Sequence, residues 1–554
     1  MIDSTVLFAL YIIRVVRPFL AIIIVYSCYY SMRKNIREDK PLMVLYNTLT
    51  TENIPVIYWE NSIGRSRNSD IIINDPSVSR DHAVLLRREE GWFITDTGSK
   101  SGVKLNGNMI AQREQVYIDD VITVGSTPLV LKKHNVIDIT RGFSFMKNKL
   151  PKAAPASGLL ILVTIFHVLS AFELATLNQQ FDYRPIVPFS ILIVMSWIFL
   201  TISKFIFKRI NFELEALSIF LCGIGISMIC SYDVSKTYVQ LVCIAIGMAV
   251  FCIIIKFIEN PDRAAKWNLF ISGSAIFLLI INILLGTVQN GSKNWIMIGQ
   301  ASIQPSEFVK IAFIFVGAST LDKIQTTKNL TEFIIFSALC IGALFIINDF
   351  GTALIFFVTF LIISFMRSGD LKTIILVCAA AVIGAFMILK FKPYIADRFL
   401  SWGKAYEYAD TLGYQQSRVL TYTASGGLFG VGVGLGDLKH VFAAANDLVF
   451  GMICEEMGLL MGLIVAITIL GFAVYARRVS YRSRSTFYYI SSCSAAGLLL
   501  FQMCLNIFGA TDVLPLTGVT LPFVSLGGSS IISVFGMLAF IKASDERTYA
   551  VKRS

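Results

Sequence analysis

The sequence predicts a polytopic α-helical membrane protein of about thirteen transmembrane helices with one compact all-β sandwich inserted near its N-terminus. Three observations carry that prediction. Of the 554 residues, 55% are hydrophobic and only 15% charged, with a mean hydropathy of +0.68, more apolar surface than a water-soluble chain of this size could hide. One apolar stretch near the start and twelve further on are long enough to span ~30 Å of hydrocarbon. Between them lies a window of about ninety residues that alternates apolar and polar positions in short runs. The net charge of +11 does not point to nucleic acid. Its Lys and Arg residues sit in short stretches between apolar runs, with no basic patch interleaved with aromatics.

In chain order, residues 1–44 read as a membrane anchor followed by a basic juxtamembrane segment. The apolar stretch 5–31 is broken by Arg14, Arg17 and Pro18, and no small-residue cleavage site follows it, so it reads as an uncleaved anchor. Residues 45–135 form the β unit, with strand-type runs at Pro55–Trp59, Ala83–Arg87, Trp92–Thr95, Val116–Ile118 and Leu129–Leu131 separated by Gly- and Asn-containing turns. Residues 136–156 are basic, contain Pro151 and Pro155, and read as a linker. Two helices occupy 157–211, and ten occupy 212–554.

The twelve later segments are 157–174, 186–206, 214–231, 237–257, 267–287, 305–319, 331–347, 351–366, 373–390, 448–475, 485–508 and 525–543. Alternate connections carry the positive charge, among them Lys208 and Arg209, Arg263 and Lys266, Arg367 and Lys372, and Arg477, Arg478, Arg482 and Arg484. Those belong in the cytoplasm. The β unit and the C-terminus fall on the same side, and the long 391–447 loop, Trp295, Asp349 and Pro515 fall outside. The ten cysteines are scattered through apolar runs without a C-x-x-C pair, which reads as packing rather than metal or redox chemistry.

Within the β unit stand Gly64-Arg65-Ser66, Ser79-Arg80-Asp81-His82, Asp96-Thr97-Gly98-Ser99 and Asn106-Gly107. This order of loop motifs resembles the forkhead-associated (FHA) domain over nearly the whole unit. The resemblance implies a phosphothreonine pocket in which Arg65, Ser79, Arg80 and Asn106 bind the phosphopeptide, while His82 ties loops together. An Arg fork with hydroxyl and amide donors suits a dianionic phosphate. The chain departs from the pattern at Ser101-Gly102, where members usually carry Asn-Gly.

Four polar constellations sit on predicted outer loops or helix ends, where anchoring in lipid does not require them. Gly291-Ser-Lys-Asn-Trp295 leads into Gln304-Pro-Ser-Glu307-Phe-Val-Lys310, whose acid and base, three apart, share one helix face. Asn348-Asp349-Phe350-Gly351-Thr352 marks a helix break. A Gly-rich stretch from Gly413 through Gly426, Gly427, Gly430, Gly432, Gly434 and Gly436 leads into Asn446-Asp447 and Glu455-Glu456. Asn506, Pro515, Gly518, Leu521-Pro522-Phe523 and Ser525-Leu-Gly-Gly-Ser529 form the fourth.

In this order the motifs make residues about 212–545 similar to the SEDS family, which includes RodA, FtsW and SpoVE, and the ten helices there would be its core. The resemblance implies polymerisation of lipid II, an undecaprenyl-pyrophosphate disaccharide-pentapeptide, at the outer face of the bacterial cytoplasmic membrane. Asp447 matches the family's essential aspartate and is expected to be catalytic. Trp295, Glu307, Lys310, Asp349, Glu455 and Glu456 match positions expected to bind substrate, with a loop-orienting role equally open for the two glutamates. Asn294 and Asn348 depart from the Arg and Pro that many members carry.

The implied partners are a class B penicillin-binding protein and a phosphothreonine protein of a Ser/Thr kinase pathway. No tight His, Cys and acid cluster predicts a protein-bound metal, and assistance by a divalent cation stays open. A lipid II flippase or a non-catalytic cell-wall scaffold are the alternative readings.

Overall fold

The computed structural model describes residues 4–66, 69–88, 90–111, 113–133, 155–177, 181–206, 211–289, 292–299, 301–320, 328–368, 399–480 and 485–545, apart from 34–40, with a few isolated residues elsewhere. Two hydrophobic cores organise it, a large one among the helices and a small one inside the sandwich.

Helix α1 (Ser4–Arg33) runs through Pro18 without breaking. Eleven strands follow: β1 Met43–Asn47, β2 Asn53–Val56, β3 Glu60–Gly64, β4 Ile71–Ile72, β5 Ala83–Arg88, β6 Gly91–Asp96, β7 Val103–Leu105, β8 Asn108–Met109, β9 Arg113–Val116, β10 Val121–Val124 and β11 Thr127–Lys132. They form two sheets, ordered β2-β1-β11-β10-β7-β8 and β4-β3-β5-β6-β9. The inward residues Leu45, Ile63, Leu85, Ile94, Ile122 and Leu129 fill the space between them. The expected strand Pro55–Trp59 is interrupted, because the chain leaves one sheet at Val56 and enters the other at Glu60.

The helical body contains α2 (Ala156–Ala175), α3 (Ile186–Thr201), α4 (Glu213–Tyr232), α5 (Val234–Phe257), a short α6 (Pro261–Ala265) and α7 (Asn268–Leu285). Three strands then intervene: β12 Thr287–Gln289, β13 Ser292–Ile298 and β14 Ala301–Ile303. Beyond them lie α8 (Pro305–Thr320), α9 (Lys328–Ile347), α10 (Phe350–Ser368), α11 (Tyr414–Gly426), α12 (Val449–Glu456), α13 (Leu459–Ser480), α14 (Thr486–Ala510) and α15 (Gly528–Ser544). Eight described helices are long and apolar enough to cross a membrane, and three shorter apolar ones accompany them. The expected span 373–390 falls mostly outside the described residues.

Two expectations need correction. The single span 448–475 is two helices, α12 and α13, divided at Gly458, whose φ is +95°. A Cβ there would lie 2.2 Å from the Leu428 carbonyl oxygen, so the break lets the Gly-rich stretch approach the helix backbone. The loop around Trp295 is a small antiparallel sheet, β12-β13-β14, which the short apolar runs between Asn and Gly residues did not reveal.

The helices put the sandwich at one end of the bundle. Glu60 Oε2 accepts the backbone N–H of Thr486 at 2.8 Å, at the positive end of α14, and Glu60 Oε1 accepts from Arg88 at 2.8 Å. Arg88 Nε and Arg113 Nη1 share Asp262 Oδ2 on α6, at 3.1 and 2.9 Å. Buried pairs at the same end include Lys542 Nζ on Glu215 at 2.7 Å and Ser31 on Glu213 at 2.8 Å. Burial of Asp262 works to raise its pKa, but the Arg88 and Arg113 guanidiniums outweigh that and hold it below the usual carboxylate value.

This docking is testable by acid and by charge. A folded-state pKa below the unfolded one makes the stabilisation complete above about pH 4 and lost as pH falls through the depressed value. Asp262→Ala should reproduce the acid effect at neutral pH, seen as faster amide exchange in β5 and β9. A double-mutant cycle between Arg88 and Asp262 should return a coupling of about 0.5–3 kcal/mol, and a coupling of zero would contradict the interface.

Candidate active site and phosphothreonine pocket

At the end of the bundle away from the sandwich, the expected site residues collect around the C-terminal half of α14. Gln502 and Asn506, one helical turn apart, face the same way. Asn506 Nδ2 donates to the backbone oxygens of Asp447 at 2.9 Å and Val519 at 2.8 Å. Ser525 Oγ donates to the Asn446 carbonyl at 2.5 Å, and Leu526 N–H to Ala445 O at 2.8 Å. Three carbonyls in succession are therefore fixed from outside their own segment. Trp402 Nε1 bonds Val513 O at 3.0 Å, and Asp512 accepts the N–H groups of Gly403 and Ala405, tying the long loop to the 511–527 connection.

Asp447 itself is half-buried. The cap position of α12 is Leu448, which leaves Asp447 one residue outside the helix. Its Oδ2 lies 3.6 Å from where a Cβ on Gly518 would stand. Gly518 has φ +69°, so glycine both permits the turn and leaves room over the carboxylate.

Deeper in the bundle, Lys310 Nζ donates to Glu307 Oε1 at 2.8 Å and to Gln502 Oε1 at 3.2 Å, with all three buried. Gln502 Nε2 continues to Thr520 O at 3.0 Å. Glu307 and Lys310 are thus joined to the Asp447 neighbourhood through one face of α14. Asp349 is buried, accepts Thr352 N–H at 3.1 Å as the first turn of α10 begins, and receives Gln304 Nε2 at 3.3 Å. Asn348, with φ +65°, makes the sharp break before it. Trp295 lies half-buried on β13, its carbonyl accepting Thr287 Oγ1 at 3.0 Å.

Glu455 and Glu456 spend their carboxylates on the Gly-rich stretch. Glu455 accepts Asp437 N–H at 2.8 Å and Leu438 N–H at 3.0 Å. Glu456 accepts Gly434 N–H at 2.8 Å and Ser231 Oγ at 2.6 Å. Of the two roles open to them, the geometry favours holding the loop. Gln502 and Asp512 went unnoticed in the sequence; the i, i+4 spacing of Gln502 and Asn506 on an apolar helix was the available signal.

In the sandwich, Arg65 N–H bonds Ser79 O at 3.0 Å and Ser66 N–H bonds Arg80 O at 3.1 Å, which sets the three expected side chains on adjacent loops. Gly64 allows this approach, since a Cβ would fall 2.1 Å from Arg80 O. Arg65 and Arg80 are exposed. Ser79 Oγ accepts Lys100 N–H at 3.1 Å. His82 is buried, with Nδ1 accepting from Ser79 N–H and Nε2 on Gly102 O, both at 3.0 Å. Asn106 does not join them. It lies beyond the far end of β7, where its side chain donates to Asp120 at 2.8 Å and accepts Val121 N–H at 2.9 Å. Because β3 and β5 carry Glu60 and Arg88 at one end and these loops at the other, the docked end and the pocket stand about 17 Å apart.

Comparison with known proteins adds the family. The model for the FtsW, RodA and SpoVE cell cycle proteins matches residues 212–548, and that for the FHA domain matches 61–125. The chain is 30% identical over 307 residues to the probable peptidoglycan glycosyltransferase FtsW of Wigglesworthia glossinidia brevipalpis, covering 53% of this chain and 80% of that protein. It is 27% identical over 324 residues to the peptidoglycan glycosyltransferase RodA of Mycobacterium tuberculosis, covering 54% and 68%. A solved structure described as the structural coordination of polymerization and crosslinking by a peptidoglycan synthase complex shares the fold of its matched chain, with a TM-score of 0.51 at 22% identity, covering 60% of this chain and 96% of that one. The chain therefore belongs to the FtsW, RodA and SpoVE family of multi-pass membrane proteins, with an FHA domain inserted ahead of the family region.

Proposed function

We propose that this protein is a peptidoglycan glycosyltransferase that polymerises lipid II at the membrane face opposite its FHA domain, with Asp447 as catalytic base. The observation that carries the reading is the placement of Asp447: a half-buried carboxylate over the open side of Gly518, on backbone fixed by Asn506 and Ser525. In the reaction a sugar hydroxyl attacks the anomeric carbon of a second sugar. A new C–O bond forms as the bond to the lipid pyrophosphate breaks, and Asp447 takes the hydroxyl proton. A fixed backbone holds the acceptor oxygen in reach without reorganisation at each turnover.

Trp295, Glu307, Lys310 and Asp349 complete the proposed substrate region. Lys310 is spent on Glu307 and Gln502 in this conformation, so contact with a pyrophosphate requires that pair to open. The FHA pocket of Arg65, Ser79 and Arg80 would place the enzyme under a Ser/Thr kinase, by reading a phosphothreonine on a partner protein. This puts the FHA domain and the C-terminus in the cytoplasm and Asp447 outside. A class B penicillin-binding protein is the proposed membrane partner, since the sequence holds no Ser-x-x-Lys module with its companion motifs. The buried Glu307, Lys310 and Gln502 network would also suit a lipid II flippase.

Three measurements test this. With labelled lipid II, wild type should make glycan chains resolved on a gel, and Asp447→Asn should lower the rate by at least about a hundredfold; translocation with unchanged rates in both proteins would favour the flippase. Glu307→Ala should destabilise the protein by roughly 3–5 kcal/mol by stranding Lys310, and Glu307→Leu with Lys310→Met should recover most of that loss in thermal unfolding. Phosphothreonine peptide binding, followed by calorimetry, should disappear in Arg65→Ala and persist in Asn106→Ala; equal loss in both would refute the pocket as drawn.

A further inference from the structure

Helices α1 and α2 precede the family region and carry no motif of it, yet each bears charge in an apolar run. Arg14 and Arg17 interrupt α1, and Glu173 is the only carboxylate in α2, whose one other titratable side chain is the buried His167. Such charges persist at membrane depth only where they are paired. Arg17 pairs with Glu173 Oε2, both fully buried, and Arg14 Nε lies 3.7 Å from Glu173 Oε1.

The third participant is the Gly-rich stretch. From Gly426 to Gly436 it contains only glycine, leucine, valine and phenylalanine, so it has no polar side chain by which to be held, and any fastening must grip its backbone. Val433 N–H donates to Glu173 Oε1 at 3.1 Å. Its neighbour Gly434 donates to Glu456, and Gly432 N–H to the Glu456 carbonyl at 3.0 Å. A Cβ at Gly432 would fall 2.3 Å from the Arg14 guanidinium, and one at Gly434 2.3 Å from Leu177, just past α2. The strap is therefore pressed onto the N-terminal helices with no space between. Arg14 and Arg17 thus both face Glu173.

We infer that α1 and α2 are part of the scaffold of the catalytic loop, with Glu173 a positioning residue that fastens the strap leading, fourteen residues later, to Asp447. This rests on the reading of Asp447 as the base. The family region alone supplies Glu455 and Glu456 to hold one side of the strap. Glu173, from outside it, closes the other side, and the Arg17 pair makes a carboxylate tolerable there.

The test uses the full-length protein in lipid nanodiscs, with lipid II as substrate and two neutral double variants of similar volume. Arg17→Met with Glu173→Met removes the acceptor for Val433 N–H. Arg17→Met with Glu173→Gln keeps a carbonyl oxygen there. The Met variant should exchange the Val433 and Gly434 amides about tenfold faster than wild type, and lose about tenfold in kcat with KM within about twofold. The Gln variant should return most of both. If the two variants behave alike, or the Met variant matches wild type, the inference is overturned. Wild type alone also decides it, whether or not either variant folds: the Val433 amide must exchange at least about a hundredfold more slowly than in an unstructured peptide of the same sequence, and a rate equal to the peptide's would overturn the fastening. Slow exchange at Val433 in a wild type that makes no glycan would instead refute the glycosyltransferase reading and leave the fastening intact.

Discussion

Asn506 uses its side-chain amide to hold two backbone carbonyls, those of Asp447 and Val519, and the end of the bundle away from the FHA domain is assembled around that pair of bonds. The constraint behind it is general. Chain that leaves a helix at membrane depth has unpaired N–H and C=O groups, and no water in the hydrocarbon to satisfy them. Here the residues that emerge from the bundle are glycine-rich and apolar, so the partners come from elsewhere: Asn506 and Ser525 for carbonyls, Glu455, Glu456 and Glu173 for amides. A carboxylate accepting backbone N–H bonds makes charge-assisted bonds, the strongest kind available to such a segment.

The same economy explains why glycine is needed at particular points. Gly458 lets α12 end against Leu428, and Gly518 opens space beside Asp447. A Cβ at Gly458 would push apart backbones whose hydrogen bonds depend on close approach, whereas at Gly518 it is the positive φ that calls for glycine. The loop is held through its backbone, which fixes the position of the half-buried Asp447.

At the other end of the bundle, the FHA domain is seated by charge. Glu60 meets the start of α14, and Asp262 meets Arg88 and Arg113. Helix α14 thus touches the FHA domain at Thr486 and holds Asp447 through Asn506, one element with both ends engaged. The loops that carry Arg65, Ser79 and Arg80 lie at the opposite ends of β3 and β5 from that seat, so docking leaves them uncovered.

By itself the sequence determined the class of the protein, the order of its segments and the identity of most polar groups at its site. Hydrophobic run length fixes where helices lie because lipid admits few other solutions; Glu307 and Lys310 stood out because charge is costly at membrane depth, and Arg65, Ser79 and Asp447 through the resemblance of their motifs to known families. Strand ends, the division of 448–475 at Gly458, the small sheet around Trp295 and the role of Asn106 were decided only by tertiary structure. Each depends on which distant backbone comes within hydrogen-bond reach. Glu173 is the clearest case: its charge in an apolar helix was plain in the sequence, but its partners, Arg17 and the Val433 amide, lie 156 and 260 residues away, and packing alone brings them together.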